Sequence, residues 1–123
     1  EGDFFDFKDG VKEDSMKKIL SLQALFKQAF PEATVVKFTF FRLERELHIA
    51  LENGTIILLS LNQDIEKELA LLRYFVDTKK ELLTKGEVTY IDTRVLGKMF
   101  VCIEKATCIK NLARIYTKPY LEK

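Results

Sequence analysis

The chain has no tryptophan and few residues that break or cross-link a fold: five glycines, two prolines, two cysteines and one histidine among 123 residues. This composition excludes collagen-like and proline-rich chains, and a hydrophobic fraction of 47% argues against a wholly disordered one. No apolar run approaches the roughly 20 residues of a membrane helix, so no membrane span is predicted within this chain. Excess charge of one sign is also lacking, since 20 basic residues stand against 19 acidic ones. A strongly basic nucleic-acid-binding protein is therefore unsupported.

The two cysteines, Cys102 and Cys108, are too few for a disulfide-based scaffold. With a single histidine they are also too few for a closed zinc site, and no cofactor is predicted. They could pair if the chain turns back between them. The pattern favours two small, buried apolar side chains instead.

Hydrophobic periodicity predicts the elements of the N-terminal half. A short strand is expected around residues 4–7, before a turn at Asp9-Gly10. Ser15 is expected to cap an amphipathic helix that ends before Pro31. The apolar stripe of this helix is predicted to comprise Met16, Ile19, Leu20, Phe26 and Phe30. A strand with one face formed by Val36, Phe38 and Phe40 follows.

Asn53-Gly54 is the strongest hairpin signal in the chain, because both residues of a two-residue turn need positive φ. Such a turn sets the register of the two strands that flank it. The predicted pairs are Leu51 with Ile56 and Ile49 with Leu58 on one face, and Ala50 with Ile57 and His48 with Leu59 on the other. The continuous apolar run of the return strand indicates a central position with both faces at least partly covered.

A second helix is predicted from Asn62, as its N-cap, to Gly86, as its C-terminal stop. Its stripe is expected to comprise Ile65, Leu69, Leu72 and Val76, continued by Leu82 or Leu83. Two more strands are expected over 88–93 and 98–103, separated by a turn at Leu96-Gly97. The tail, 104–123, is compatible with a short helix or an extra strand. The order (β)αβββαββ predicts an α+β fold, an antiparallel sheet with a mixed edge and two main helices packed on it.

Signals for an enzyme are weak. His48 lies in the middle of a predicted strand, where a histidine on a sheet face is the common situation. No serine lies in a G-x-S-x-G motif, and no glycine-rich phosphate loop is present. Asp3, Asp6 and Asp9 recur every third residue, which does not match the alternate ligand positions of a calcium loop. The sequence therefore favours a protein without catalytic activity.

The segment 98–103 comes last in the predicted sheet and is apolar on both faces. An exposed edge of this kind either aggregates or accepts a strand from a partner. The alternative is that the tail folds back and covers it.

Several motifs, in this order, resemble the β domain of the bacterial cell-division protein family FtsQ/DivIB. Residues 45–54 resemble the family's R-x-W-x-L-x-L-x-N-G hairpin, although Leu47 stands at the tryptophan position. Residues 66–83 resemble the following helix, 88–94 the I-x-Y-I-D-L-R strand, and 98–101 the closing strand. The resemblance covers 4–103, so 1–103 is expected to be the β domain and 104–123 a tail.

The resemblance implies a scaffold of the division machinery without catalytic activity or cofactor. Family members have a membrane helix and a POTRA domain before the β domain, which lies outside the cytoplasm. Because this chain begins at Glu1, we expect those parts to be missing from it. In the family, the β domain binds the coiled-coil partners FtsB/DivIC and FtsL, and the last strand of its sheet accepts a strand from FtsB. The corresponding residues here are Arg94, Val95, Gly97, Lys98, Met99, Phe100, Val101 and Cys102.

The residues allow further interpretations. Arg94 could hold a partner carboxylate or form a local pair with Asp92. A small cytosolic α+β protein of the secretion-chaperone type is the alternative function, although such chaperones are usually acidic. A small-ligand enzyme with a cone-shaped sheet would need His48 and Asp92 to meet inside its cavity.

Overall fold

The computed structural model describes residues 4–8, 10–80, 87–95 and 97–121, with side chains described up to residue 116. The α+β class is confirmed. In chain order, the elements are β1 Phe5–Lys8, α1 Glu13–Ala29, β2 Val35–Phe41, β3 Glu46–Leu51, β4 Ile56–Ser60, α2 Ile65–Thr78, β5 Tyr90–Asp92, β6 Phe100–Cys102 and α3 Lys105–Leu121. None of the described helices is long and apolar enough to span a membrane.

The six strands form one mixed sheet in their chain order, β1 to β6. The β1–β2 and β4–β5 pairs are parallel, and the other three pairs are antiparallel. Each parallel pair is connected through a helix, α1 or α2, and β4 runs in the same direction as β2. Crossovers of the same hand that advance in the same direction place their helices on the same face. Accordingly, α1 and α2 contact each other on one side of the sheet.

The larger core lies between this first face and the helices α1 and α2. Phe38 and Phe40 of β2 are fully buried there, as are Leu47 and Ile49 of β3. The helices contribute Ile19, Leu22, Phe26, Leu69 and Leu72. Sheet strands and crossover helices thus bury their apolar faces against each other, as the two periods in the sequence require.

Helix α3 covers part of the second face of the sheet. The tail predicted as a short helix or an extra strand is therefore a helix, and the described part of the chain has a third helix besides the two main ones that were predicted. Cys108 and Leu112 of α3 pack against Leu58 of β4 and Tyr90 of β5. The prediction that β4 is covered on both faces is confirmed, because Ile57 and Leu59 face the first core while Leu58 faces α3.

The predicted hairpin is present, but its register was wrong by one residue. Ile49 pairs with Ile57, not Leu58, and His48 pairs with Leu58, not Leu59. The loop holds three residues, because the Leu51 N–H donates to the Thr55 carbonyl. Gly54, with φ of 96°, follows a turn closed by its own N–H and the Leu51 carbonyl, 3.0 Å apart. A turn followed by a left-handed glycine adds one residue to the two-residue loop that was predicted.

Helix boundaries also differ from the predictions. Helix α1 begins at Glu13, after Lys12, so Ser15 lies inside the helix and is not its cap. Helix α2 is capped by Asp64, whose carboxylate accepts from the Glu66 and Lys67 amides, and not by Asn62. The helix ends at Thr78. Five residues of the sequence predictions lie outside the described residues: Asp9, Leu82, Leu83, Gly86 and Leu96.

Two apolar residues do not lie on the faces that simple periodicity predicts. Leu20 is 48% exposed, and Leu22 is the buried residue in that part of α1. Val36 is 57% exposed because the β2–β3 register shifts between Val35 and Lys37. A bulge of this kind turns one side chain away from its expected face.

Cys102 and Cys108 form a disulfide, so the favoured prediction of two free apolar side chains was wrong. Two residues, Ile103 and Glu104, lie between the end of β6 and the start of α3, and this short connection places the two cysteine Cα atoms 5.8 Å apart. This separation lies in the range that a disulfide requires. The bond ties the last strand to the helix that covers the second face.

We expect the Cys102→Ala/Cys108→Ala double variant to lose about 2 kcal/mol of unfolding free energy, the contribution of a disulfide that closes so short a ring. Urea unfolding of the oxidised and the reduced wild-type protein separates the loss of the bond from the loss of sulfur volume. Amide exchange should accelerate in α3 and stay unchanged in α1, which serves as the internal control. Equal exchange in α3 with and without the bond would show that packing alone holds the helix.

Candidate functional site at the sheet edge

Strand β6 forms one edge of the sheet. Ile91 pairs with Val101 and Asp92 with Phe100, so one side of β6 is occupied by β5. Within the described part of the chain, no strand pairs with the other side. Unpaired main-chain N–H and C=O groups at such an edge are the groups that strand addition uses.

The side chains of β6 divide between the cores and solvent. Val101 and Met99 pack against the larger core, and Cys102 packs against the smaller one. Phe100 is 50% exposed, and two further apolar side chains near this edge, Val95 and Ile103, are about as exposed. We call Val95, Phe100 and Ile103 the edge rim. The rim provides apolar surface next to the open main chain.

The segment before β6 makes a sharp turn at Gly97. Gly97 has a φ of 72°, a conformation that favours glycine, and the Lys98 N–H donates to the Val95 carbonyl at 3.0 Å. The predicted turn around Gly97 is therefore confirmed. It reverses the chain between β5 and β6.

Arg94 forms the local pair with Asp92 that the sequence allowed. Its Nε and Nη2 donate to the two Asp92 oxygens at 2.8 and 2.7 Å, and its Nη1 donates to Glu46 Oε2 at 3.1 Å. The hydrogen bonds with Asp92 and the negative charges of Asp92 and Glu46 raise the pKa of Arg94. Through these contacts Arg94 links Glu46 of β3 to Asp92 of β5, just before the segment that leads into β6. Its side chain is only 23% exposed.

Glu68 of α2 contacts the residue before Arg94, Thr93. The Thr93 hydroxyl lies 2.8 Å from Glu68 Oε1, and the Ser60 amide donates to the same oxygen at 3.3 Å. Its other oxygen, Oε2, is buried without a hydrogen-bond partner among the described groups. Burial, the largest effect, raises the pKa of Glu68 to about 6, against the opposing hydrogen bonds from Thr93 and Ser60.

His48 does not meet Asp92 as an acid–base pair. Its Nε2 lies 2.9 Å from Glu46 Oε1, whereas the Asp92 carboxylate is held by Arg94. Burial lowers the pKa of His48, although the hydrogen bond and the negative charge of Glu46 oppose this shift. Among the described residues, no three histidine, cysteine, aspartate or glutamate side chains come close enough together to hold a metal ion.

Sequence reasoning located the edge but missed the groups that hold it in place. Glu46 lies 48 residues from Arg94, and Glu68 lies 25 residues from Thr93. The sequence held two signals for these groups. Glu68 lies among the core-facing residues of α2, and Glu46 stands at the start of the largely apolar strand β3. Neither signal identifies the partner of the carboxylate.

In a comparison with known proteins, no protein-family model and no curated protein matches this chain.

Glu68 and His48 should affect stability in opposite directions as the pH changes. The raised pKa of Glu68 adds stability that is present below its unfolded value and lost as the pH rises through about 6. The lowered pKa of His48 removes stability as the pH falls below its unfolded value, because the unfolded chain then binds the proton more readily. The charged neighbours are Asp64 and Asp92 for Glu68, and Glu46, Arg94 and Asp92 for His48.

We therefore expect Glu68→Gln and His48→Gln to differ in the slope of unfolding free energy between about pH 5 and about pH 7. The slope should be more positive in Glu68→Gln and more negative in His48→Gln than in the wild type. Urea unfolding followed by circular dichroism measures both slopes, and titratable groups distant from both sites contribute equally to the two variants. Identical slopes in the two variants would contradict this assignment.

Proposed function

We propose that this domain is a non-catalytic protein-binding scaffold that accepts a strand from a partner at the outer edge of β6. The observation that carries the proposal is the unpaired side of β6 in the described chain, beside the half-exposed Phe100. Main-chain hydrogen bonds would provide affinity, and pockets for alternate side chains would provide specificity.

Two features of the edge support binding rather than accidental exposure. The segment that leads into β6 is held by charge-assisted hydrogen bonds from Arg94 and by the buried carboxyl of Glu68. The strand itself is tied to α3 by the disulfide of Cys102. An edge held in one conformation loses less conformational freedom on binding than a flexible one.

The finer proposal is a scaffold of the bacterial cell-division machinery, related to FtsQ/DivIB, with FtsB/DivIC and FtsL as partners. Its support is the ordered set of motifs, since the β3–β4 hairpin, helix α2 and strand β5 follow one another in the structure in that order. The disulfide supports a location outside the cytoplasm, since such bonds persist in oxidising compartments. A secretion-chaperone role would place the protein in a reducing compartment instead.

We expect the edge to respond when the isotope-labelled domain is titrated with the soluble extracytoplasmic part of the FtsB/DivIC protein from the same organism. Amide shifts should concentrate in 94–103. The exposed Phe100 makes Phe100→Glu the informative variant, and we expect it to weaken binding at least about tenfold, because it places a desolvated charge beside the added strand.

Phe4→Glu is the matched control. Phe4 is 62% exposed and lies next to β1, at the opposite edge of the same sheet. Binding lost in Phe4→Glu and kept in Phe100→Glu would move the site to β1. Shifts outside both edges would keep a binding role but contradict strand addition, and no shift at high partner concentration would contradict the cell-division role.

A further inference from the structure

A cleft of about 430 Å³ opens on the second face of the sheet, away from the edge rim. The side chains that line it come from β1, β2, β3, β4 and α3. They are Asp6, Lys8, Lys37, Thr39, Phe41, His48, Ala50, Ile56 and Tyr116. The volume lies in the range of small-molecule sites in proteins.

Three rings form the wall of the cleft at β3 and α3. The His48 ring lies 4.4 Å from the Phe41 ring and 5.5 Å from the Tyr116 ring, measured between centroids. The Phe41 and Tyr116 rings are stacked at 5.6 Å. A wall of this composition suits a flat aromatic ligand, because offset or tilted ring contacts are favourable beyond the area that they bury.

His48 supplies a polar group with an unused lone pair. Its side chain is 4% exposed, and Nδ1 has no hydrogen-bond partner among the described residues. Because Nε2 contacts the Glu46 carboxylate, the ring proton belongs on Nε2 in the neutral form, and Nδ1 is left as an acceptor. A buried acceptor without a donor carries a free-energy cost. A ligand hydroxyl or amino group would remove that cost.

The charges at the cleft favour an anion. Two lysines stand against one aspartate, and Lys8 already contacts Asp6 at 2.9 Å. Lys37 forms no ion pair with any residue that the structure describes. It lies two residues along β2 from Thr39, the cross-strand partner of His48, which is a separation of about 7 Å along the strand. One aromatic ring with substituents at opposite ends can span that separation.

We propose that this cleft binds a small aromatic carboxylate whose ring carries a hydrogen-bond donor, with the carboxylate at Lys37 and the donor at His48 Nδ1. The ring lies against Phe41 and Tyr116. This site is independent of the strand addition proposed at β6, because the two involve different residues and different strands of the sheet.

The test is a titration of the isotope-labelled protein with three related probes. Para-hydroxybenzoate carries both groups, benzoate lacks the donor, and methyl para-hydroxybenzoate lacks the charge. We expect para-hydroxybenzoate to shift the amides of residues 37–41 and 48–50. Each of the other two probes should bind at least about tenfold more weakly, the factor that corresponds to one lost hydrogen bond to a charged or buried group.

Variants then assign each preference to its residue. Lys37→Met should abolish the preference for the acid over its methyl ester, and Lys98→Met, a lysine beside β6, should retain it. His48→Phe, which keeps a ring in the wall, should abolish the preference for para-hydroxybenzoate over benzoate. If this variant does not fold, the comparison of the three probes on the wild type remains decisive.

Equal affinity of the wild type for the acid and its ester would overturn the proposal. The same holds for shifts confined to other parts of the sheet, and for no shift at all with millimolar probe.

Discussion

The burial of β4 on both faces is the constraint on which the other elements depend. Its residues from Ile57 to Ser60 are all buried, and alternate side chains point to opposite faces of the sheet. One covered face would leave Leu58 or the pair Ile57 and Leu59 in water. The fold therefore needs helices on both sides: α1 and α2 on the first, which the parallel crossovers provide, and α3 on the second. The tail is thus a part of the core and not an addition to it.

The predictable part of the fold was the part encoded locally. The helices over 13–29 and 65–78 and the strands around Phe38, Ile49 and Val101 follow from periodicity, as does a reversal at Asn53-Gly54. The register was not predictable from that dipeptide, because it serves equally in a two-residue turn and in a three-residue loop with the glycine last. The sequence left the tail open between a short helix and an extra strand, because the contacts that bury α3 come from Leu58 and Tyr90, residues far away in the chain.

The candidate site illustrates the same division between local and distant information. The edge position of β6 follows from the order of elements, and the turn at Gly97 from the residue itself. The interactions that hold the edge join residues distant in sequence, Glu46 with Arg94 and Glu68 with Thr93. The two cysteines of the disulfide are only six residues apart, but their pairing depends on a chain reversal that the residues between them do not predict. The cleft beside His48 is likewise invisible in the sequence, because five elements contribute to it.

The disulfide also has a mechanical consequence. A force applied between β1 and β6 would cross the sheet strand by strand, and the two ladders nearest β6 have only three residue pairs each. These ladders would yield first if they alone carried the load. The bond between Cys102 and Cys108 transfers part of that load into α3, which packs against Leu58 of β4. The two short ladders therefore carry less of the load than they would without the bond.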